Sequence, residues 1–152
     1  MNDWTTFTKR ITVNASQEDI YKAWTTQHGI ESWFLRSSEF TKNKILRGRN
    51  EFTQTGDETV QIGEILETNG VDVFSFTFHE PMVVSVRIFE EHSFNICELI
   101  QTSIPLNEDS RKNYFVGCGE GWTFYLTNLK SVLEGGLDLR NKDENIKSVL
   151  NS

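Results

Sequence analysis

The stretch RKNYFVGCGEGWTFYLTNLKSVLEGG, residues 111–136, decides the fold. Within it Arg111, Tyr114, Phe115, Cys118, Trp122, Tyr125, Leu126, Leu129, Val132 and Leu133 share one stripe at helical spacing. Gly135-Gly136 then supplies residues that accept the left-handed backbone on which helices commonly end. The spacing predicts one long helix, opening near Glu108 after Pro105 and running to about Glu134, kinked if anywhere near residues 117–121. Residues 137–140 then run back along the body. Residues 141–152 form a polar tail in which Ile146, Val149 and Leu150 have the spacing of one further docked turn.

Everything upstream has a different period. Residues 6–13 set Phe7, Ile11 and Val13 against Thr6, Thr8, Arg10 and Thr12, a strand with one wet face. Ser16 with Asp19 is a capping-box pattern ahead of Ile20, Ala23 and Trp24, which predicts a short helix. Gly29 reads as its left-handed stop, and Ile30, Trp33 and Phe34 as the apolar side of a second short helix. From about residue 39 to 102, turn signals at Arg47-Gly48-Arg49-Asn50, Gly56-Asp57, Asn69-Gly70, Pro81 and residues 90–93 mark an antiparallel meander. The Asn69-Gly70 pair, between strands at 58–67 and 71–78, is the signature of a two-residue type I′ turn. In the second arm Phe74, Phe76 and Phe78 share one face. Strand, two helices, antiparallel meander, long helix: the order is α+β, with a sheet of about six or seven strands in all and one domain over residues 1–140.

Composition narrows the function. The 152 residues suit a single core, and 11 Phe with 4 Trp make the chain ring-rich. A net charge of -7 argues against nucleic-acid binding, because a phosphate backbone would be repelled. No run approaches the roughly 20 apolar residues of a membrane span, so membrane insertion is not expected. Cys97 and Cys118 lack metal-ligand spacing and suit a reducing compartment, which reads as a soluble cytoplasmic protein.

Few residues offer chemistry. Gly117-Cys118-Gly119-Glu120-Gly121 has the glycine content of a phosphate loop, but the helical stripe runs through it, so close helix-to-sheet packing is favoured over a gap for a ligand. His28, His79 and His92 fall at a helix end and two hairpin ends without catalytic partners. Cys118, on the buried stripe, reads as a small hydrophobe with a raised pKa. Glu64, between Ile62 and Leu66 on a face shared with Val60, is the candidate inward carboxylate unless a bulge at Gly63 turns it out, and Gln101 offers a neutral amide to the same interior. No catalytic constellation is complete, and neither a cofactor nor a metal is called for. Lys42, Lys44, Arg47 and Arg49 read as a solvated basic hairpin, with a docking patch for an acidic partner as the alternative.

Two longer motifs add a resemblance. Ile11-x-Val13-x-Ala15-Ser16-x-Glu18-x-Ile20-Tyr21-x-Ala23-Trp24-Thr25 with Glu31-x-Trp33-Phe34 resembles the opening of the family named after the activator of the heat-shock-protein-90 ATPase, a branch of the SRPBCC (START/Bet v-like) superfamily. Gly121-Trp122-x-x-x-Leu126-x-x-Leu129-Lys130-x-x-Leu133-Glu134-Gly135-Gly136-x-Asp138-Leu139-Arg140 is similar to that family's C-terminal helix and exit. The resemblance implies a helix-grip fold: a curved antiparallel sheet wraps the long helix, two short helices close one end, and a cavity lies inside. It also implies that Cys97, Leu99 and Gln101 face the helix, which leaves Phe94, Ile96 and Ile100 outward as a homodimer patch. The chain departs from the family at Asn69-Gly70 and in residues 104–116, so a difference is expected at the cavity mouth.

Three function classes follow. The first is a cavity for an apolar or aromatic small molecule, bordered by Trp24, Trp33, Phe34, Glu64, Phe76, Phe78, Cys97, Gln101, Cys118, Trp122 and Tyr125, with a packed core as the plain alternative. The second is a co-chaperone-like interaction domain with a chaperone partner. The third is a cyclase or hydrolase, for which only Glu64, Gln101 and Tyr125 are polar candidates.

Overall fold

The computed structural model describes residues 2–41, 43–47, 61–143, 145–146 and 148–151, with 44–47 and 61–62 as backbone only. The Gly56-Asp57 turn, the turn after Arg47, and Lys42, Arg49 and Val60 lie outside the described residues. In chain order the elements are β1 (Phe7–Thr12), α1 (Gln17–Thr25), α2 (Gln27–Glu31), β2 (Ser38–Phe40), β3 (Lys44–Arg47), β4 (Gln61–Thr68), β5 (Val73–Thr77), β6 (Val83–Glu91), β7 (Phe94–Thr102), α3 (Glu108–Ser110), a π-helical segment (Arg111–Val116) and α4 (Gly117–Leu133). The strands form one antiparallel sheet in the order β1-β7-β6-β5-β4-β3-β2. With the long helix against this sheet and the short pair after β1, the architecture is the α+β helix-grip. No helix among the described residues is long and apolar enough to cross a membrane.

The two short helices are divided at one residue. The Ser16 hydroxyl accepts from the Asp19 N–H at 3.0 Å and opens α1. The Thr26 N–H then donates to the Lys22 carbonyl at 3.1 Å, ending α1, while its hydroxyl accepts from the Gly29 N–H at 3.0 Å, opening α2. Gly29 is therefore inside the second helix, not the left-handed stop of the first. It is needed for close approach, since a Cβ there would stand 2.1 Å from the Lys22 carbonyl oxygen.

The hairpins exchange their expected turns. Gly70 has φ +74°, but Asn69 is not left-handed, so the β4–β5 connection is a four-residue loop rather than a type I′ turn. The Asn69 carboxamide oxygen accepts from the N–H groups of Val71, Asp72 and Val73 at 2.9, 2.9 and 3.0 Å, an Asx arrangement that competes with the tight turn. The Tyr21 hydroxyl accepts from the Gly70 N–H at 3.1 Å and bonds Thr68, fastening α1 to this loop. The two-residue turn is instead at His92-Ser93, both left-handed at φ 49° and 70°, between the paired Glu91 and Phe94.

The outer face of the sheet differs from an open apolar patch. Phe94 is exposed, but Ile96 is buried and Ile100 partly so. Across β1, β7 and β6, Arg10, Glu98 and Arg87 stand in register, and both guanidiniums lie against Phe89, 5.8 and 4.7 Å from its ring centroid. Glu98 bridges the two arginines at 3.4 and 3.1 Å.

The C-terminal helix opens with Asn107, whose side chain accepts from the Ser110 N–H at 2.8 Å, and closes at Gly135 with φ +83°. Its irregularity lies just ahead of the glycines, in the π-helical turn. There Phe115 packs on Trp4 and Phe7, with centroids 4.8 and 5.8 Å apart, and Tyr114 stacks on His79 at 6.2 Å. Residues 137–140 do return to the body, while the tail folds on itself through the Asn141 N–H donating to the Asn151 carbonyl at 2.7 Å.

The glycines give a paired test. A Cβ at Gly121 meets nothing within 4 Å, so Gly121→Ala is expected to stabilise the helix by about 1 kcal/mol in urea unfolding. Gly29→Ala, forced against backbone, is expected to cost at least about 2 kcal/mol by the same measurement.

Candidate functional site

Each inward ring is placed by a local device. The cap on α1 turns Ile20, Tyr21, Ala23 and Trp24 into the interior. The break at Thr26 frees carbonyls in the last turn of α1, and the Trp33 indole N–H donates to that of Ala23 at 2.8 Å. Phe34 follows in a turn in which the Ile30 carbonyl accepts from Phe34 and Leu35 at 3.0 and 3.1 Å. On β5 the strand period sets Phe74 and Phe76 in the core, with Phe78 half-buried beyond them. On α4, Trp122 and Tyr125 are buried and Cys118 is half-buried.

These rings meet. Trp24 contacts Trp33 and Trp122 at centroid separations of 4.7 and 5.9 Å, and Phe34 contacts Trp33, Trp122 and Tyr125 at 5.3, 4.9 and 4.9 Å. Phe78 joins them to the sheet, 5.4 Å from Trp122 and 6.3 Å from Phe76. Edge and offset pairs of this kind contribute roughly 0.5–1.5 kcal/mol each beyond area burial.

One amide crosses the interior. Gln101, on β7 and fully buried, accepts from the Trp122 indole N–H at 2.8 Å and donates to the Met82 sulfur at 3.2 Å. The Cys118 thiol also lies against Gln101, and burial pushes its pKa up. Cys97, four residues earlier on the same strand face, sits beside Trp24, and burial raises its thiol to about 12. Glu64 is not part of this cluster. Ile65 stands opposite Phe76 and faces in, so Glu64 alternates outward and is exposed, and the bulge falls between Ile65 and Glu67 rather than at Gly63. All the other candidates from the sequence lie in or against the ring cluster.

A second polar seam escaped the sequence reading. The Asn128 amide donates to the Trp33 carbonyl at 2.8 Å and to Asp138 at 3.0 Å, and its oxygen accepts from the Leu139 N–H at 2.7 Å. Arg140, buried, donates to the Leu35 and Glu31 carbonyls at 3.1 and 2.8 Å and pairs with Asp138 at 2.7 Å. This clasp holds the turn that carries Trp33 and Phe34. Burial by itself would raise the Asp138 pKa, but hydrogen bonds from Arg140, Lys142 and Asn128 outweigh it and hold the carboxyl well below the usual range. The available signal was Asn128, a polar residue interrupting an apolar stripe.

The glycine run is helical throughout, and packing explains little of it. A Cβ at Gly119 would touch only the Lys9 side chain, at 3.9 Å, and one at Gly117 only its own turn's Lys112 carbonyl, at 3.6 Å. His79 turns beside Phe78 and Tyr114, with ring centroids 4.5 and 6.2 Å away. Among the described residues, no group of three His, Cys, Asp or Glu side chains is placed to hold a metal ion.

Comparison with known proteins fixes the family. The model of the activator of Hsp90 ATPase homolog 1-like proteins matches residues 14–134, most of the chain and all of the ring cluster. The chain belongs to this family. Activator-like folds also appear among the solved structures it is similar to. A crystal structure from Staphylococcus saprophyticus has a TM-score of 0.73 at 17% identity, covering 89% of this chain and 96% of that one. The solution structure of the Aha1 dimer from Colwellia psychrerythraea has a TM-score of 0.68 at 18% identity, covering 86% and 97%. The AHSA1-like protein from Aeromonas hydrophila has a TM-score of 0.68 at 13% identity, covering 85% and 92%. No curated protein matches the chain.

Two outcomes check the site's electrostatics. Because the Asp138 pKa is depressed on folding, its contribution is full above the unfolded carboxylate range near 4 and is lost as pH falls through and below it. Asp138→Asn is expected to lower stability at pH 7 by about 3 kcal/mol, leaving Arg140 without its charge partner, and to flatten the loss between pH 5 and about pH 2 in urea unfolding. With a disulfide reagent at pH 8, Cys118 is expected to react slowly and Cys97 only on unfolding, read by mass spectrometry of the labelled peptides.

Proposed function

We propose that the protein binds an apolar or aromatic small molecule between the sheet and α4, bordered by Phe76, Phe78, Cys118, Gln101, Trp122 and Tyr125, with Trp24, Trp33, Phe34 and Cys97 at the closed end. The carrying observation is the gradient of burial along the ring cluster. Trp24 and Trp33 are sealed, whereas Phe78 and Cys118 are only half-buried, so the cluster approaches solvent at the end where Tyr114 and His79 stand. An apolar interior with a few fixed polar groups, open at one end, is what a small-molecule site requires. The reading belongs in the cytoplasm, where the free Cys97 and Cys118 stay reduced.

A second reading, a protein-interaction role of the co-chaperone kind with self-association, draws on the family's description and on the dimeric Colwellia structure. Titration of 15N-labelled protein with naphthalene and with decanoate, followed through the tryptophan indole signals, separates the readings. Saturable shifts of Trp122 are expected, with Phe78→Ala weakening binding at a stability cost below about 2 kcal/mol, since that ring is half-buried. Trp122→Ala is expected to lower ligand affinity and to cost less than the roughly 3–5 kcal/mol that truncating a ring in a fully packed core would. No shift with either probe would leave the rings as packed core and favour the interaction role.

A further inference from the structure

The three interior tryptophans differ in one respect. Trp33 donates its indole N–H to the Ala23 carbonyl, and Trp122 donates to Gln101, each at 2.8 Å. Trp24 donates to nothing. Its residue is inaccessible to solvent, and Nε1 is the one buried side-chain nitrogen or oxygen without a hydrogen-bond partner among the described residues. The nearest polar atom is the Cys97 sulfur, whose interaction with the indole partly offsets the rise that burial gives the thiol pKa, but sulfur is a weak acceptor and the contact falls short of a full hydrogen bond. The two oxygens that serve the neighbouring indoles, those of Ala23 and Gln101, accept from Trp33 and Trp122 and not from Trp24. Buried indole N–H groups ordinarily find a partner, and an orphan is costly.

We propose that Trp24 Nε1 is the polar anchor of the ligand site, donating a hydrogen bond to a neutral acceptor oxygen, a ketone or ester carbonyl, on a ligand whose body is an apolar ring system. This rests on the small-molecule reading above and specifies its ligand class. The interior explains each half. The rings of Trp33, Phe34 and Trp122 around Trp24 offer only apolar and π contact to the body. A carboxylate is disfavoured, because one neutral N–H cannot repay its desolvation in a ring-lined interior. An amine or alcohol seated by its proton would face a second donor and leave both unsatisfied.

The test uses two probes of nearly one shape, 2-acetylnaphthalene and 2-isopropenylnaphthalene, which differ in a carbonyl oxygen against a methylene. Each is titrated into wild type and into Trp24→Phe, which keeps a ring and removes the donor. The expected result is roughly tenfold tighter binding of the ketone to wild type, a downfield shift of the Trp24 indole proton with the ketone alone, and equal affinities in Trp24→Phe. Should Trp24→Phe not fold, the wild-type affinity ratio and the indole shift still decide. Equal wild-type affinities, or binding that leaves the Trp24 signal in place, overturn the anchor while leaving the small-molecule reading standing. Failure of both probes to bind wild type overturns both.

Discussion

The hydrogen bond from the Trp122 indole to Gln101 fixes where the long helix sits on the sheet. A buried indole and a buried amide each need a partner, and here each answers the other across the interface, so helix register and strand face are chosen together. The rings then have little freedom. Phe78 approaches Trp122 from just beyond β5, while Trp24 reaches it from α1 and Phe34 from the turn after α2, and all three contacts would be lost if α4 slid by one turn. The sequence places a tryptophan at this point of the helix, and the structure supplies a physical reason for that residue over phenylalanine: the ring alone would pack, but it would not specify.

Much of the fold was legible because it rests on periodicity. The helical stripe, the first strand and the Phe74, Phe76, Phe78 face all follow from spacing, and the stripe and that face carry five of the expected lining residues, Phe76, Phe78, Cys118, Trp122 and Tyr125. What spacing missed is polar and local. Asn69-Gly70 has the composition of a tight turn, but one side-chain oxygen with three N–H donors within reach makes a wider loop. Gly29 looked like a stop because glycine serves both left-handed backbone and close approach, and only the neighbouring Lys22 carbonyl distinguishes the two. Glu64 was misplaced by one residue of register, which in a strand exchanges the two faces.

The candidate site joins rigidity at one end to access at the other. The short helices, the Asn128 amide and the Arg140 clasp hold Trp24, Trp33 and Phe34 without solvent contact. At the other end the π-helical turn spreads Tyr114 and Phe115 over His79, Trp4 and Phe7, and three glycines follow it. A wide turn beside residues with no side chains is where a helix yields at least cost.

The Arg140 clasp also says something about how the chain is made. Its guanidinium reaches a carbonyl 109 residues earlier in sequence, and β1 waits for β7 to become its neighbour. On a ribosome, the corner bearing Trp33 and Phe34 stays unfastened until Arg140 has emerged, and the first strand keeps both edges bare until β7 follows it. Such long-range closure is slow to nucleate and exposes its rings meanwhile, so newly made chains pass through a vulnerable interval that ends only when Asp138 and Arg140 arrive.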